Sequence, residues 1–237
     1  MRSNNEEFRK ARPLLGVLGG MGTQATACFY SILHDMQNVT AEQEYLDVLI
    51  YSMPSIPDRT AFITGQSIDS PLGPLLHAAK ALETAGASLL AMLCVTAHYF
   101  YDDLSGAVGI PFLSIPEETA RLAHGHGIGK IGMLATDGAL KGKVFQSALE
   151  KYGIEMLVPP EDSRAGLMKM IYEIKRGADV SPEFLDKVVR RLRKNGAEAV
   201  ILGCTELCII AKGSPGVINT LEVLAGASLR AARALVT

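Results

Sequence analysis

Apolar positions along this chain follow two periods that take turns. Short, nearly continuous apolar runs at residues 14–19, 48–53 and 89–94 recur in the second half at 130–135, 155–158 and 199–204, and each reads as a buried strand. The stretches between them switch to helical spacing. Leu72, Leu75, Leu76, Ala79 and Leu82 fall on one helical face, and Phe184, Leu185, Val188, Val189 and Leu192 on another. Apolar strands alternating with amphipathic helices predict an α/β fold, with parallel sheet covered on both faces.

The two halves correspond element by element. Leu15-Gly16-Val17-Leu18 is answered by Ile131-Gly132-Met133-Leu134. Ser70-Pro71 and Ser181-Pro182 each open a helix, a serine N-cap followed by proline. Both helices run out at a Gly-Ala pair, Gly86-Ala87 and Gly196-Ala197, where glycine can take a left-handed cap. Eight residues beyond each glycine stands a cysteine, Cys94 in one half and Cys204 in the other. The repeat predicts two similar α/β lobes related by a pseudo-twofold axis, residues 1–115 with 217–237 forming the first and 116–216 the second. Ligands of open α/β sheets bind beyond the carboxyl ends of the strands. Both cysteines are expected there, facing one cleft from opposite sides.

Inverting a carbon centre by proton transfer requires a base on one face and an acid on the other. Cysteine titrates at about 8.5 unperturbed, so a thiolate and a thiol can divide that task near neutrality. Each cysteine precedes an expected helix start, Thr96-Ala97-His98 and Thr205-Glu206-Leu207, whose backbone N–H groups are suited to a substrate carboxylate. Other chemistry fits the same residues. Cys94-x3-His98 with Cys204-x3-Cys208 has the spacing of a zinc site of three cysteines and one histidine. Cys94 with His98 as its base would make a hydrolytic nucleophile. Gly20-x-Gly22-x-x-Ala25 can be read as a dinucleotide fingerprint, but the second strand ends in Tyr51-Ser52-Met53, without the acidic residue that holds a ribose. A binding protein that keeps the fold without turnover is a further alternative.

Charge and composition narrow the partners. With 23 basic and 25 acidic side chains the formal charge is -2, and no clustered positive excess invites nucleic acid or anionic lipid. Residues 85–97 form a long uncharged stretch, but it is too short to span a bilayer and is interrupted by Gly86, Ser88 and Thr96. Residues 1–12 mix Glu6 and Glu7 with Arg2, Arg9 and Lys10 and lack the apolar core of a secretory signal, so a cytoplasmic protein with a frayed leader is expected. The 4 cysteines read as free thiols, not as a disulfide scaffold. Arg190, Arg191, Arg193 and Lys194 fall in the last turns of a helix, where positive charge suits the macrodipole.

Taken together, the motifs resemble the cofactor-independent aspartate/glutamate racemases. The resemblance runs from about Leu14 to Ala234 and rests on Leu18-Gly-Gly-Met-Gly22, Ile56-Pro-Asp-Arg-Thr60, Cys94 with Thr96-Ala-His98, Ala135-Thr136, Ile174-Lys175 with Gly177, and Gly203-Cys-Thr-Glu-Leu207. It implies two α/β lobes, a homodimer, and racemisation of an acidic amino acid by paired cysteines without pyridoxal phosphate or metal. Cys94 and Cys204 would be the two bases. Arg59 and Lys175 would meet substrate carboxylates, and Met21, Val95, Thr96, Thr136, Thr205 and Glu206 would complete the substrate site. The chain departs from the usual pattern at four positions. Val95 stands where asparagine follows the first cysteine, Ala139 where threonine is usual, Phe145 where tyrosine is usual, and Asn219 where aspartate is usual. The first two remove side-chain donors for a carboxylate, which leaves a racemase of a less polar amino acid as an alternative.

Overall fold

A computed structural model describes residues 12–211 and 216–236. The expected leader, apart from Arg12, lies outside the described residues. Eight strands form two sheets of the same design. The first holds β1 (Leu14–Gly19), β2 (Asp47–Ser52), β3 (Leu89–Met92) and β4 (Phe112–Leu113) in the order β2-β1-β3-β4. The second holds β5 (Lys130–Ala135), β6 (Glu155–Leu157), β7 (Ala199–Gly203) and β8 (Val217–Asn219) in the order β6-β5-β7-β8. Every pairing is parallel, and equivalent residues meet, Leu15 opposite Leu89 and Ile131 opposite Ala199.

The connections are helical. They are α1 (Thr23–Asp35), α2 (Arg59–Thr64), α3 (Leu72–Thr84), α4 (Tyr101–Ser105) and α5 (Ile115–Gly125) in the first half. The second half has α6 (Asp137–Lys141), α7 (Gln146–Lys151), α8 (Glu161–Lys175), α9 (Glu183–Lys194), α10 (Thr205–Ile210) and α11 (Thr220–Ala234). The serines Ser70 and Ser181 accept the Leu72 and Glu183 N–H groups, each at 3.3 Å, so both start signals act one residue before the helices they open. At the other ends Gly86 and Gly196 are left-handed, with φ of 99° and 96°. Ala87 N–H reaches Leu82 O and Ala197 N–H reaches Leu192 O, each at 3.1 Å, the bond that closes a Schellman cap.

β4 and β8 were not expected. Strands of two and three residues carry too few positions for alternation to show. Expected strands 89–94 and 199–204 stop at Met92 and Gly203, so both cysteines lie past the last paired residue.

The close packing of helix on sheet is duplicated as well. A Cβ added at Gly16 would lie 2.6 Å from Leu90 Cδ2 and 3.3 Å from Leu82 Cβ. One added at Gly132 would lie 2.9 Å from Leu192 Cδ1 and 3.1 Å from Val200 Cγ2. Each glycine lets the helix after it in the repeat, α3 or α9, settle against the middle of its sheet. The last helix of each half packs on the opposite half: α5 lies against α7, and α11 against α1. A single apolar core therefore runs between the lobes, joining Leu15, Val17 and Phe29 to Ile131, Leu202 and Leu224. The sequence puts the two crossovers between lobes at 115/116 and 216/217, while β8 is hydrogen-bonded to β7 in the second sheet. We propose the second crossover at 219/220 instead of 216/217.

Gly16→Ala is expected to lower stability by about 1–3 kcal/mol, because the new methyl group overpacks a site with no slack. Urea unfolding of the two proteins measures the difference.

Candidate active site

Cys94 and Cys204 each follow the strand next to the centre of a sheet, and both are 5% exposed. Behind each one the chain is pinned by the residue four positions on. His98 Nδ1 lies 2.9 Å from Cys94 O, and Ile115 N–H, at the start of α5, donates to His98 Nε2 at 3.1 Å. Since the amide must be the donor there, Nε2 accepts and Nδ1 carries the proton. Cys208 Sγ does the same work in the second half, lying 3.6 Å from Cys204 O and 3.4 Å from Thr220 Oγ1 at the start of α11. Burial holds His98 neutral, lowering its pKa to about 4, and pushes the Cys208 thiol up to about 11.

These pins overturn two alternatives. A zinc site would need a free nitrogen on His98 and a turned Cys208 thiolate, and a hydrolytic base would need a free lone pair. Both imidazole nitrogens are spent on backbone. The dinucleotide reading fails at Gly22, whose Cβ position lies 2.9 Å from the Glu206 carboxylate, an acidic group where a pyrophosphate would have to approach, whereas Gly20 is left-handed at φ 89° with a Cβ position 2.3 Å from Met53 N. Gly20 is the glycine of a tight turn against the second strand's end.

Part of the expected carboxylate cradle of backbone N–H groups is already engaged. Leu207 N–H bonds Cys204 O at 3.1 Å, Glu206 N–H is directed to the Cys204 sulfur, and His98 N–H bonds Val95 O at 3.0 Å. Around these amides stands the side-chain chemistry. Glu206, 2% exposed, accepts from Cys204 Sγ at 3.0 Å and from Thr205 Oγ1 at 3.2 Å, both through Oε2. Arg59 gives Nη1 to the carbonyls of Ile56 and Pro57, while its buried Nε has no partner. Lys175, near the end of α8, is within electrostatic reach of Glu206, Cys204, Cys94 and Arg59. It is the group around which the two halves of the site meet.

The charges act on one another. Burial raises the Cys204 thiol well above its ordinary value, Glu206 pushes the same way, and Lys175 opposes them. Burial alone would pull Lys175 down, but the negative groups outweigh it and hold the ammonium above its usual value. Glu206 is the largest of these contributions. Asp58 was not singled out as a site residue. Burial opposes its charge, yet the Ala61 N–H, Lys175, Arg59 and the Tyr172 hydroxyl at 3.1 Å hold its carboxyl below the usual range. Its signal was present in the residues themselves: an aspartate before Arg59 at a helix N-cap, and a tyrosine one turn before Lys175 on the same face.

The remaining expected residues fall around this group. Met21 lies in the apolar cluster with Leu18, Ile56 and Cys94. The hydroxyls of Thr96 and Thr136 bond each other across the lobes at 2.8 Å, and Thr136 Oγ1 also accepts from Ala139 N–H at 3.0 Å. Val95, Ala139 and Phe145 are buried in the shared core. Asn219 is a helix cap, its Oδ1 accepting from Leu221 N–H at 3.0 Å, a role that asparagine fills as well as aspartate. Lys141 Nζ bonds Thr64 O at 3.0 Å and, with the Thr96–Thr136 and Asp58–Tyr172 pairs, ties the lobes shut over the site. A cavity of about 460 Å³ adjoins His98 but is lined by neither Cys94 nor Cys204. Among the described residues no helix is long and apolar enough to cross a membrane.

Two parallel four-stranded lobes form the α/β fold that this chain shares with solved aspartate and glutamate racemases. The chain belongs to the Asp/Glu/hydantoin racemase family, whose sequence signature matches residues 18–234, and it is an amino-acid racemase. Aspartate racemase of Picrophilus torridus shares 27% identity and superimposes with a TM-score of 0.82 over 93% of this chain and 94% of its own. An aspartate racemase homologue from Pyrococcus horikoshii OT3 shares 28% over 92% and 98%, with a TM-score of 0.74. The broad specificity amino-acid racemase RacX of Bacillus subtilis is 26% identical over 82% of this chain and 86% of its own.

His98 sets an acid limit on stability. Its pKa falls from 6.5 to about 4 on folding, so between those values the unfolded chain binds more protons. The stabilisation is complete above 6.5 and is lost as pH falls toward 4, about 3 kcal/mol at most. Urea unfolding at pH 7.5 and 4.5 is expected to show this loss, with a shallower decline in His98→Gln.

Proposed function

We propose that this chain racemises aspartate or glutamate by two-base proton transfer between Cys94 and Cys204. The observation that carries the reading is the position of the two thiols, one from each lobe, just past equivalent strand ends, with Lys175 within electrostatic reach of both. Burial and the Glu206 contact favour the protonated form of Cys204, so Cys94 starts as the base. The Cys94 thiolate takes the proton from Cα, and the Cys204 thiol delivers its own to the opposite face. The enzyme is left with the two protonation states exchanged, and the reverse reaction restores them. Negative charge spreads from Cα into the carboxylate as the bond breaks. Lys175 and Arg59 are placed to stabilise it in a site from which water is excluded.

Support for two bases comes from the matched positions of the thiols, and support for acidic substrates from the two cations and from the named activities of the relatives. The same reading makes the protein a cytoplasmic homodimer that works without cofactor or metal. A second reading, a less polar amino acid as substrate, is favoured by one observation. Val95 and Ala139 are apolar and buried, 2% and 3% exposed, beside the Thr96–Thr136 bond.

Cys94→Ser and Cys204→Ser are each expected to abolish net racemisation while folding is kept, since a hydroxyl is far too weak an acid to replace a thiol. Proton exchange with one enantiomer only, followed in deuterated water, is the expected remnant. Near-native turnover in either variant would rule out two bases.

Val95→Asn separates the two substrate readings. If the substrate is acidic, the added amide improves its binding by about 1.5–3 kcal/mol at most. If it is less polar, the amide is left unsatisfied and kcat/KM falls on the true substrate. Comparing kcat/KM for acidic and neutral amino acids in both proteins decides.

A further inference from the structure

Glu206 is bonded through one oxygen only. Oε2 receives the Cys204 thiol and the Thr205 hydroxyl, while Oε1 is fully buried and has no hydrogen-bond partner. A bare carboxylate oxygen in the interior is costly, and such groups call for a reason. Lys175 acts on Glu206 through space but does not donate to Oε1.

Gly22 faces that oxygen. A Cβ built there would lie 2.9 Å from Glu206 Oε1 and 3.9 Å from Lys175 Cγ, so any side chain at this position would crowd Oε1. The backbone of Gly22, at φ -109° and ψ 170°, is extended and open to any residue. Freedom of conformation is therefore not what glycine supplies here; space is.

We infer that Glu206 Oε1 is the receptor for the substrate's α-ammonium group, so that the site selects free amino acids over the same acids without the amine. The inference rests on the proposed proton transfer at Cys204. For that step Cα must come within about 3–3.5 Å of the sulfur. The sulfur lies 3.0 Å from Oε2, and the amino nitrogen is one covalent bond from Cα. A substrate seated for reaction therefore has its nitrogen within reach of the Glu206 carboxylate, where Oε1 is the oxygen still unbonded. The ammonium donates and the carboxylate accepts. Substrate carboxylates are turned away from Glu206 and toward Lys175 and Arg59, which gives the bound zwitterion a single polarity.

Calorimetric titration with two matched pairs tests this, aspartate against succinate and leucine against 4-methylpentanoate. The wild-type protein is expected to bind at least one amino acid more tightly than its deaminated partner, and Glu206→Gln to cut that preference by about 10- to 100-fold while the partner's own affinity changes little. Gly22→Ala keeps the carboxylate but sets a methyl group against Oε1, and it is expected to erode the same preference. It decides the matter if Glu206→Gln does not fold. Equal weakening of both members of a pair, or a wild-type protein without preference in either pair, overturns the inference. Racemisation by the wild type, scored separately over all common amino acids, shows whether the proposed function itself stands.

Discussion

A buried negative charge beside a thiol is the constraint on which this site depends. Glu206 lies in the interior against Cys204, in surroundings where a second negative charge is hardly tolerated, and the Cys204 proton is held as a result. Lys175 is raised by the same field and keeps its charge in spite of burial. Neither side chain would hold its state alone. The carboxylate without Lys175 would be an uncompensated interior charge, and Lys175 without Glu206 would be drawn toward neutrality.

The lobes must interlock for this balance to exist. Arg59 and Cys94 come from the first lobe, Lys175, Cys204 and Glu206 from the second, and the exchange of α5 and α11 joins them through one core. The hydroxyl pair Thr96–Thr136 and the Asp58–Tyr172 bond close the seam. With the site residues buried, the closed form excludes water from the thiols and strengthens each electrostatic contact.

Duplication supplied matched frames, and the differences between them are where chemistry enters. His98 and Cys208 occupy equivalent places and do equivalent work, each tying a cysteine loop to the start of the next helix. Ser114 and Asn219 cap the equivalent helices α5 and α11. The thiols are equivalent in position but not in surroundings, for Glu206 stands beside Cys204 only. In the proposed mechanism that asymmetry makes Cys204 the acid and Cys94 the base.

Much of this was legible in the residues. Strand and helix periods, the Ser-Pro starts, the Gly-Ala stops and the repeated cysteine spacing are local features, and local geometry follows from them directly. The parallel α/β fold, its duplication and the placing of Cys94 and Cys204 at strand ends needed nothing more. β4 and β8 escaped because two or three residues show no period. The roles of His98 and Cys208 escaped because i to i+4 spacing is the same for a ligand pair and for a side chain bonding back to its own loop; only the positions of Ile115 and Thr220, distant in sequence, separate the two. A helix start shows which backbone donors exist but not which of them the loop itself uses, as Leu207 N–H and His98 N–H are used here. Tertiary structure alone decided that Lys175 meets both thiols, that Asp58 joins Tyr172, and that Gly22 faces an unbonded oxygen of Glu206. Periodicity determines which face of an element is buried, whereas charge and hydrogen bonding depend on what stands opposite, and that partner comes from the other lobe.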